Sequence, residues 1–297
     1  MQYPIDCPTA IAKTLVQAHI SPMRTSEPET PEILKSLLET PAAAKAIPKS
    51  ASELLASRDE DEAWDLTAAA ASRDLAFHSK LLRLANSPYY GMSQGVSNAN
   101  KAISVVGLAN AKSLAIACSM LASCPKAELA GLHEAWRLSM SCAGAAHAAA
   151  KGCSASPQES FGAASLLMLG DAFMRAQFPG RYSEICAQAP VKFGSSLLRM
   201  QFEEFGFNHA QACSALARSW GYPRSLVHIL EHAWAANAGG CFDPNCACVS
   251  RCLRKALEEA NPQAPQEELA GAQEEPAGFV LAAPCSLLGA MWAAALA

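Results

Sequence analysis

Residues 81–107 read LLRLANSPYYGMSQGVSNANKAISVVG, and this stretch decides the fold. Leading into it, Leu75, Phe77, Leu81, Leu82, Leu84 and Ala85 recur at intervals of three and four, which predicts a helix with one apolar face, and Asp74 stands at the N-cap position. The helix is expected to stop at Asn86. Asn tolerates the left-handed conformation at a helix end, and Pro88 drives Ser87 out of helical geometry. Tyr89, Tyr90 and Gly91 then make a turn. A second helix is predicted from Ser97 as N-cap, with Ala99, Ala102, Ile103 and Val106 on one face and Gly107 as the residue after its end. The local reading is a helix-turn-helix corner inside a helical core.

LTAAAASRDLAFHSKLLRLANSPYYG (66–91) followed by AISVVGLANAKSLAIACSML (102–121) resembles the front half of an HDOD domain, a bacterial signalling module related to the HD phosphohydrolases. The hallmarks are the Asn86-Ser87 pair closing one helix and the Ala102-Ile103 helix ending in Gly107. Residues 203–235, EEFGFNHAQACSALARSWGYPRSLVHILEHAWA, resemble the back half through His209 opening an Ala-rich helix, then Trp220, Pro223 and His232. The resemblance implies an all-α, multi-helix bundle with two helical subdomains. Composition agrees, because the chain is Ala-rich, 7% aromatic and 51% hydrophobic over 297 residues, and has no long alternating run of Val, Ile or Thr.

The expected organisation is a helical appendage over 1–46 packing loosely on the core, the HDOD-like domain over 47–256, a polar linker over 257–278 and an apolar C-terminal helix over 279–297. RDEDEAWD (58–65) reads as a charge-rich loop with Asp65 capping the next helix, and PKAELAGL (125–132) as a connector. The C-terminal 19 residues are uncharged, but Pro284, Ser286, Gly289 and many Ala make them weakly lipophilic, so a helix docked on the core is expected rather than a membrane anchor. The first residues, MQYPIDCPTA, lack the pattern of a signal peptide, and a cytoplasmic location is expected. The twelve cysteines, several of them in Ala-rich helices, are then read as small buried hydrophobes.

The resemblance also says where catalysis would sit. WRLSMSCAGAAHAAA (136–150) resembles the helix that carries the first metal-binding His in catalytic relatives, and Leu138 holds that place. ASLLMLGDAFM (164–174) resembles the segment reading Leu-Leu-His-Asp-Ile-Gly in active enzymes, with Met168 and Leu169 at the His-Asp position and Gly170 behind. Many relatives carry a second His after the residue matching His232, and here it is Ala233. Aliphatic and thioether groups cannot hold a hard divalent ion. Asp171, lacking histidine partners, is read as a cap.

Two metal-like strings need weighing. His228-Ile-Leu-Glu231-His232 matches the H-x-x-E-H of inverted zinc peptidases, but five residues recur by chance and no third ligand helix follows, so His232 is read as a helix-end or buried hydrogen-bonding residue. Cys241, Cys246, Cys248 and Cys252 are spaced too irregularly for a paired structural zinc site. With 23 basic and 27 acidic residues the net charge is −4, and Arg73, Lys80, Arg83, Lys101 and Lys112 form no basic stripe, so no nucleic-acid partner is expected. The reading is a non-catalytic signal-transduction module without cofactor that binds an unidentified signalling protein or small ligand. The alternative is a metal-dependent phosphohydrolase or phosphodiesterase of the HD superfamily.

Overall fold

The computed structural model describes residues 31–39, 53–54, 57, 59–87, 90, 92, 95–123, 126–219, 222–235 and 243–270. Within them there are helices and no strands. The front group is α2 (Glu60–Arg73), α3 (Leu75–Ala85), α4 (Ala99–Val106) and α5 (Leu108–Ser123); the back group is α6 (Leu129–Ala150), α7 (Pro157–Ser165), α8 (Leu169–Gln177), α9 (Arg181–Gln188), α10 (Ser195–Phe205), α11 (His209–Ser219), α12 (Arg224–His232) and α13 (Pro244–Ala260). A short α1 (Glu32–Leu38) precedes both. This is the expected all-α bundle in two helical halves, and α5 joins them by packing on α6 and α7.

The corner at Asn86 works through its side chain. Asn86 Nδ2 donates to the Leu82 carbonyl (2.9 Å), ending α3, and to the Val96 carbonyl (2.8 Å), while its Oδ1 accepts from Val96 N–H (2.7 Å). One residue therefore terminates a helix and pins the chain ten residues later. Ser87 N–H bonds back to Leu84 O at 3.0 Å. The next helix is capped by Asn98, whose side chain accepts from Lys101 N–H, one residue later than Ser97. Asp74 caps α3 as expected, accepting from Phe77 N–H at 3.1 Å. Ala102 and Ile103 are fully buried. Gly107 adopts φ 89°, a conformation that a Cβ disfavours, and α5 starts at the very next residue.

Alanine dictates the packing of the back group. α6 presents Ala135, Ala143, Ala145, Ala146 and Ala149, all fully buried, and lies against α7 and α13. Small side chains let the helices approach closely enough for cross-helix polar contacts. Ser139 Oγ reaches Ala164 O (2.8 Å) and Ser165 O (2.9 Å) at the end of α7, and the Cys142 and Cys248 thiols reach the Val249 and Ala146 carbonyls, each at 3.7 Å. Cys118, Cys142, Cys213, Cys246, Cys248 and Cys252 are buried and unpaired by disulfides, the small-hydrophobe role read from the sequence.

Four expectations need correction. Residues 60–73 are helical rather than a charged loop: Asp59 is the cap, accepting from Glu62 N–H, and Glu60, Asp61 and Glu62 occupy the first turn, where acidic groups complement the helix dipole. Asp65 lies inside that helix. The segment before the domain is not loosely held where it is described, since Leu34 of α1 is 0% exposed and α1 packs on α11. The stretch read as a linker begins inside α13, and its described part, 261–270, packs down. Arg254 donates to Leu269 O (2.7 Å) and Gln266 O (3.0 Å), Leu269 and Ala270 are buried, and Glu268 caps α10 by accepting from Ser196 N–H (2.8 Å). No helix among the described residues is long and apolar enough to cross a membrane. Residues 279–297, Cys241 and Trp220 lie outside the described residues.

Candidate functional site

The positions matched to metal ligands are filled by apolar side chains. Leu138 on α6, Met168 and Leu169 at the turn into α8, and Ala233 at the end of α12 are between 0 and 5% exposed, all in the hydrophobic core. The chain makes its turn at Leu166–Met168, between α7 and α8. Behind it, Gly170 is required by contact: a Cβ there would stand 1.8 Å from the His209 carbonyl oxygen. Backbone meets backbone where α8 crosses α11. Cys213 Sγ, on α11, bonds to Leu166 O at 3.0 Å, closing the crossing on its other side.

Asp171 is not a cap. It is fully buried, with Arg175 Nε at 2.7 Å from Oδ2, and Oδ1 receives Arg175 Nη2 (3.3 Å) and the Tyr182 hydroxyl (2.8 Å). Arg175 in turn reaches Glu128 Oε2 at 3.0 Å, and Glu128 also accepts from Ser183 Oγ (2.5 Å) and Gly180 N–H (2.9 Å). Burial pushes the Asp171 carboxyl upward against the opposing pull of Arg175. Desolvation pushes Glu128 the same way, but the hydrogen bonds from Ser183, Gly180 and Arg175 outweigh it and hold this carboxyl below its ordinary value. The guanidinium thus ties two buried carboxylates together, one on each side.

The network continues to His209. Gln201 Nε2 donates to the Tyr182 oxygen (2.9 Å), and Gln201 Oε1 receives both the His209 backbone N–H (3.0 Å) and its Nδ1 (2.8 Å). Because the backbone N–H can only donate, the amide orientation is fixed, and Nδ1 must carry the proton. His209 is fully buried, its ring edge-on to Trp234 at 4.6 Å and to Phe193 at 6.5 Å. Burial, with Arg175 adding repulsion, pushes the imidazole down to about 3. A neutral imidazole results, oriented through Nδ1, with its buried Nε2 left without a hydrogen-bond partner among the described residues.

Leu138 and Phe193 line a cleft of about 500 Å³ whose rim carries Arg137, Glu259 and the ion pair Lys192–Glu134 (2.6 Å). Phe193 is placed there by a left-handed backbone, φ 57°. A second cleft of about 260 Å³ lies between α11 and α12, with Arg218, Glu231 and Trp234 in its wall. Lys112, among the cations weighed for nucleic acid, is half-buried, bonded to Ser57 Oγ (2.8 Å) and 5.8 Å from the Tyr222 ring centre. Cys248 is hydrogen-bonded to Cys252, which lowers its pKa, and also to Cys153 and Ser160. Among the described residues, His228, Glu231 and His232 form the one group of His, Cys, Asp or Glu ligands near enough to share an ion.

The HDOD domain model matches residues 45–236, more than half of the chain. The chain belongs to the HDOD family. Its match ends earlier than the expected 256, before α13 begins. No curated protein matches the sequence. Solved structures share the fold: a protein of Shewanella amazonensis described as a candidate phosphohydrolase is 20% identical, with TM-score 0.64 over 90% of this chain and 99% of its own. An HDOD domain protein of unknown function from Geobacter sulfurreducens is 18% identical, TM-score 0.50, over 90% and 84%. A candidate signal transduction protein from Marinobacter aquaeolei is 14% identical, TM-score 0.52, over 93% of this chain and 60% of its own. In this HDOD domain the signature residues do structural work: Asn86 and Gly107 build the corner, His209 ends the polar network, Pro223 starts α12, and His232 closes it.

Sequence reading missed Glu128, Arg175, Tyr182 and Gln201. A signal was present for one pair: Asp171 and Arg175 stand four apart as the two charged residues of α8, the spacing of an intrahelical ion pair.

Proposed function

We propose that this HDOD domain is a cytoplasmic, non-catalytic regulatory module of signal transduction that binds a protein partner or small ligand and passes its state on through helix packing. The supporting observation is the filling of the ligand positions. Leu138, Met168, Leu169 and Ala233 supply no donor atom to a hard cation, and Asp171 is already engaged by Arg175 and Tyr182. Metal-assisted hydrolysis needs ligands that fix an ion and orient its water. The cleft beside Leu138 combines an apolar wall with charged groups at its rim, the make-up of a recognition pocket.

The test has two arms. Tag-free protein assayed with Mn²⁺ or Mg²⁺ against phosphomonoesters, phosphodiesters and cyclic dinucleotides should show no turnover above background. Metal-dependent turnover that co-purifies with the protein would instead establish the phosphohydrolase reading. In the second arm, Leu138→Trp, which fills the cleft, and Arg137→Glu, which reverses its rim charge, should both abolish capture of the partner from host lysate while leaving the melting transition cooperative.

A further inference from the structure

The last turn of α12 carries a group that the regulatory reading does not use. His228 and His232 lie one helical turn apart, and their rings stand 4.2 Å centre to centre. With Glu231 they place one ligand atom each within 4.8 Å of one another, and all three residues are partly exposed. Two donors on a tetrahedral zinc ion sit about 3.3 Å apart, so side-chain movements of less than about 1 Å each would close the set on a cation.

The backbone around His232 favours a cation. His232 Nδ1 lies 2.8 Å from the His228 carbonyl, which can only accept, so Nδ1 is protonated and the lone pair is on Nε2. A backbone carbonyl orienting the far nitrogen is the arrangement that metal-ligating histidines use. α12 ends at His232, so the group also sits at the negative end of the helix dipole. Glu231 is ion-paired with Arg218 across from α11. That pairing occupies one carboxylate oxygen, so Arg218 competes with a bound cation for Glu231.

We infer that His228, Glu231 and His232 form a binding site for one borderline divalent cation of the zinc class, two imidazole nitrogens and one carboxylate oxygen supplying the ligands and water completing the shell. The site binds and does not catalyse. Its wall is shared with the smaller cleft through Glu231 and Arg218, so occupancy adds positive charge at the edge of that cleft. The inference is independent of the regulatory reading.

Chelator-stripped, tag-free protein titrated with ZnCl₂ by calorimetry should bind one ion per chain. His228→Ala and His232→Ala should each weaken binding by about tenfold or more, as expected for loss of a ligand. Arg218→Met should tighten it several-fold, because it removes a positive charge and frees Glu231; this gain cannot come from a misfolded variant. Cobalt in place of zinc should give visible bands without intense thiolate charge transfer. Uptake unchanged in the double His variant, an unaltered affinity in Arg218→Met, or a thiolate-dominated cobalt spectrum would each overturn the site.

Discussion

Arg175 is the residue on which the buried polar network depends, because it is the one cation between Asp171 and Glu128. Replacing it by Met leaves two carboxylates in the interior facing each other without compensation, and should cost about 3–5 kcal/mol in denaturant unfolding. Tyr182→Phe removes a single hydroxyl that both donates to Asp171 and accepts from Gln201, so a smaller loss of about 1–3 kcal/mol is expected. His209 sets an acid response. Its folded-state pKa of about 3 lies below the ordinary 6.5, so the unfolded chain takes up the proton first. Stability is complete above pH 6.5 and falls as pH drops towards 3, by about 2 kcal/mol between pH 6.5 and 5. Denaturation midpoints measured across that window should show the slope, and His209→Gln should flatten it.

Among the elements, the corner between α3 and α4 is the most economically specified. Asn86→Ala removes a helix cap and both bonds to Val96 at once, and is expected to cost about 1–3 kcal/mol. Hydrogen exchange should localise the loss to residues 95–106. This corner was legible in the sequence because all its information is local: the stop, the turn and the glycine lie within 27 residues. The buried network was not, because Glu128 and Arg175 are 47 residues apart and only the fold brings them together. Asp171 looked like a cap since nothing in its immediate sequence shows that Tyr182 comes back to it. The charged run 58–65 was misread for the opposite reason. A dense acidic run suggests a solvated loop, whereas at the first turn of a helix the same residues are a stabilising pattern, with Asp59 as the start.

At the scale of the whole molecule, the described part of the chain after α13 completes the domain rather than leaving it. Arg254, 2% exposed, is bound to Leu269 and Gln266, and Glu268 caps α10. Truncation after Ala260 would leave the buried Arg254 guanidinium with Glu258 as its remaining partner (3.4 Å) and uncap a helix, so the shortened protein should melt at lower temperature than the full chain, by about 4–8 °C if about 2 kcal/mol is lost from a domain of this size.

The crossing at Gly170 has a mechanical consequence. Two helices whose main chains touch have no intervening side chains that could slide or change rotamer, so neither can roll about its axis without lifting away from the other. α8 and α11 therefore behave as one rigid strut. Any rearrangement set off at either cleft must carry the two helices together.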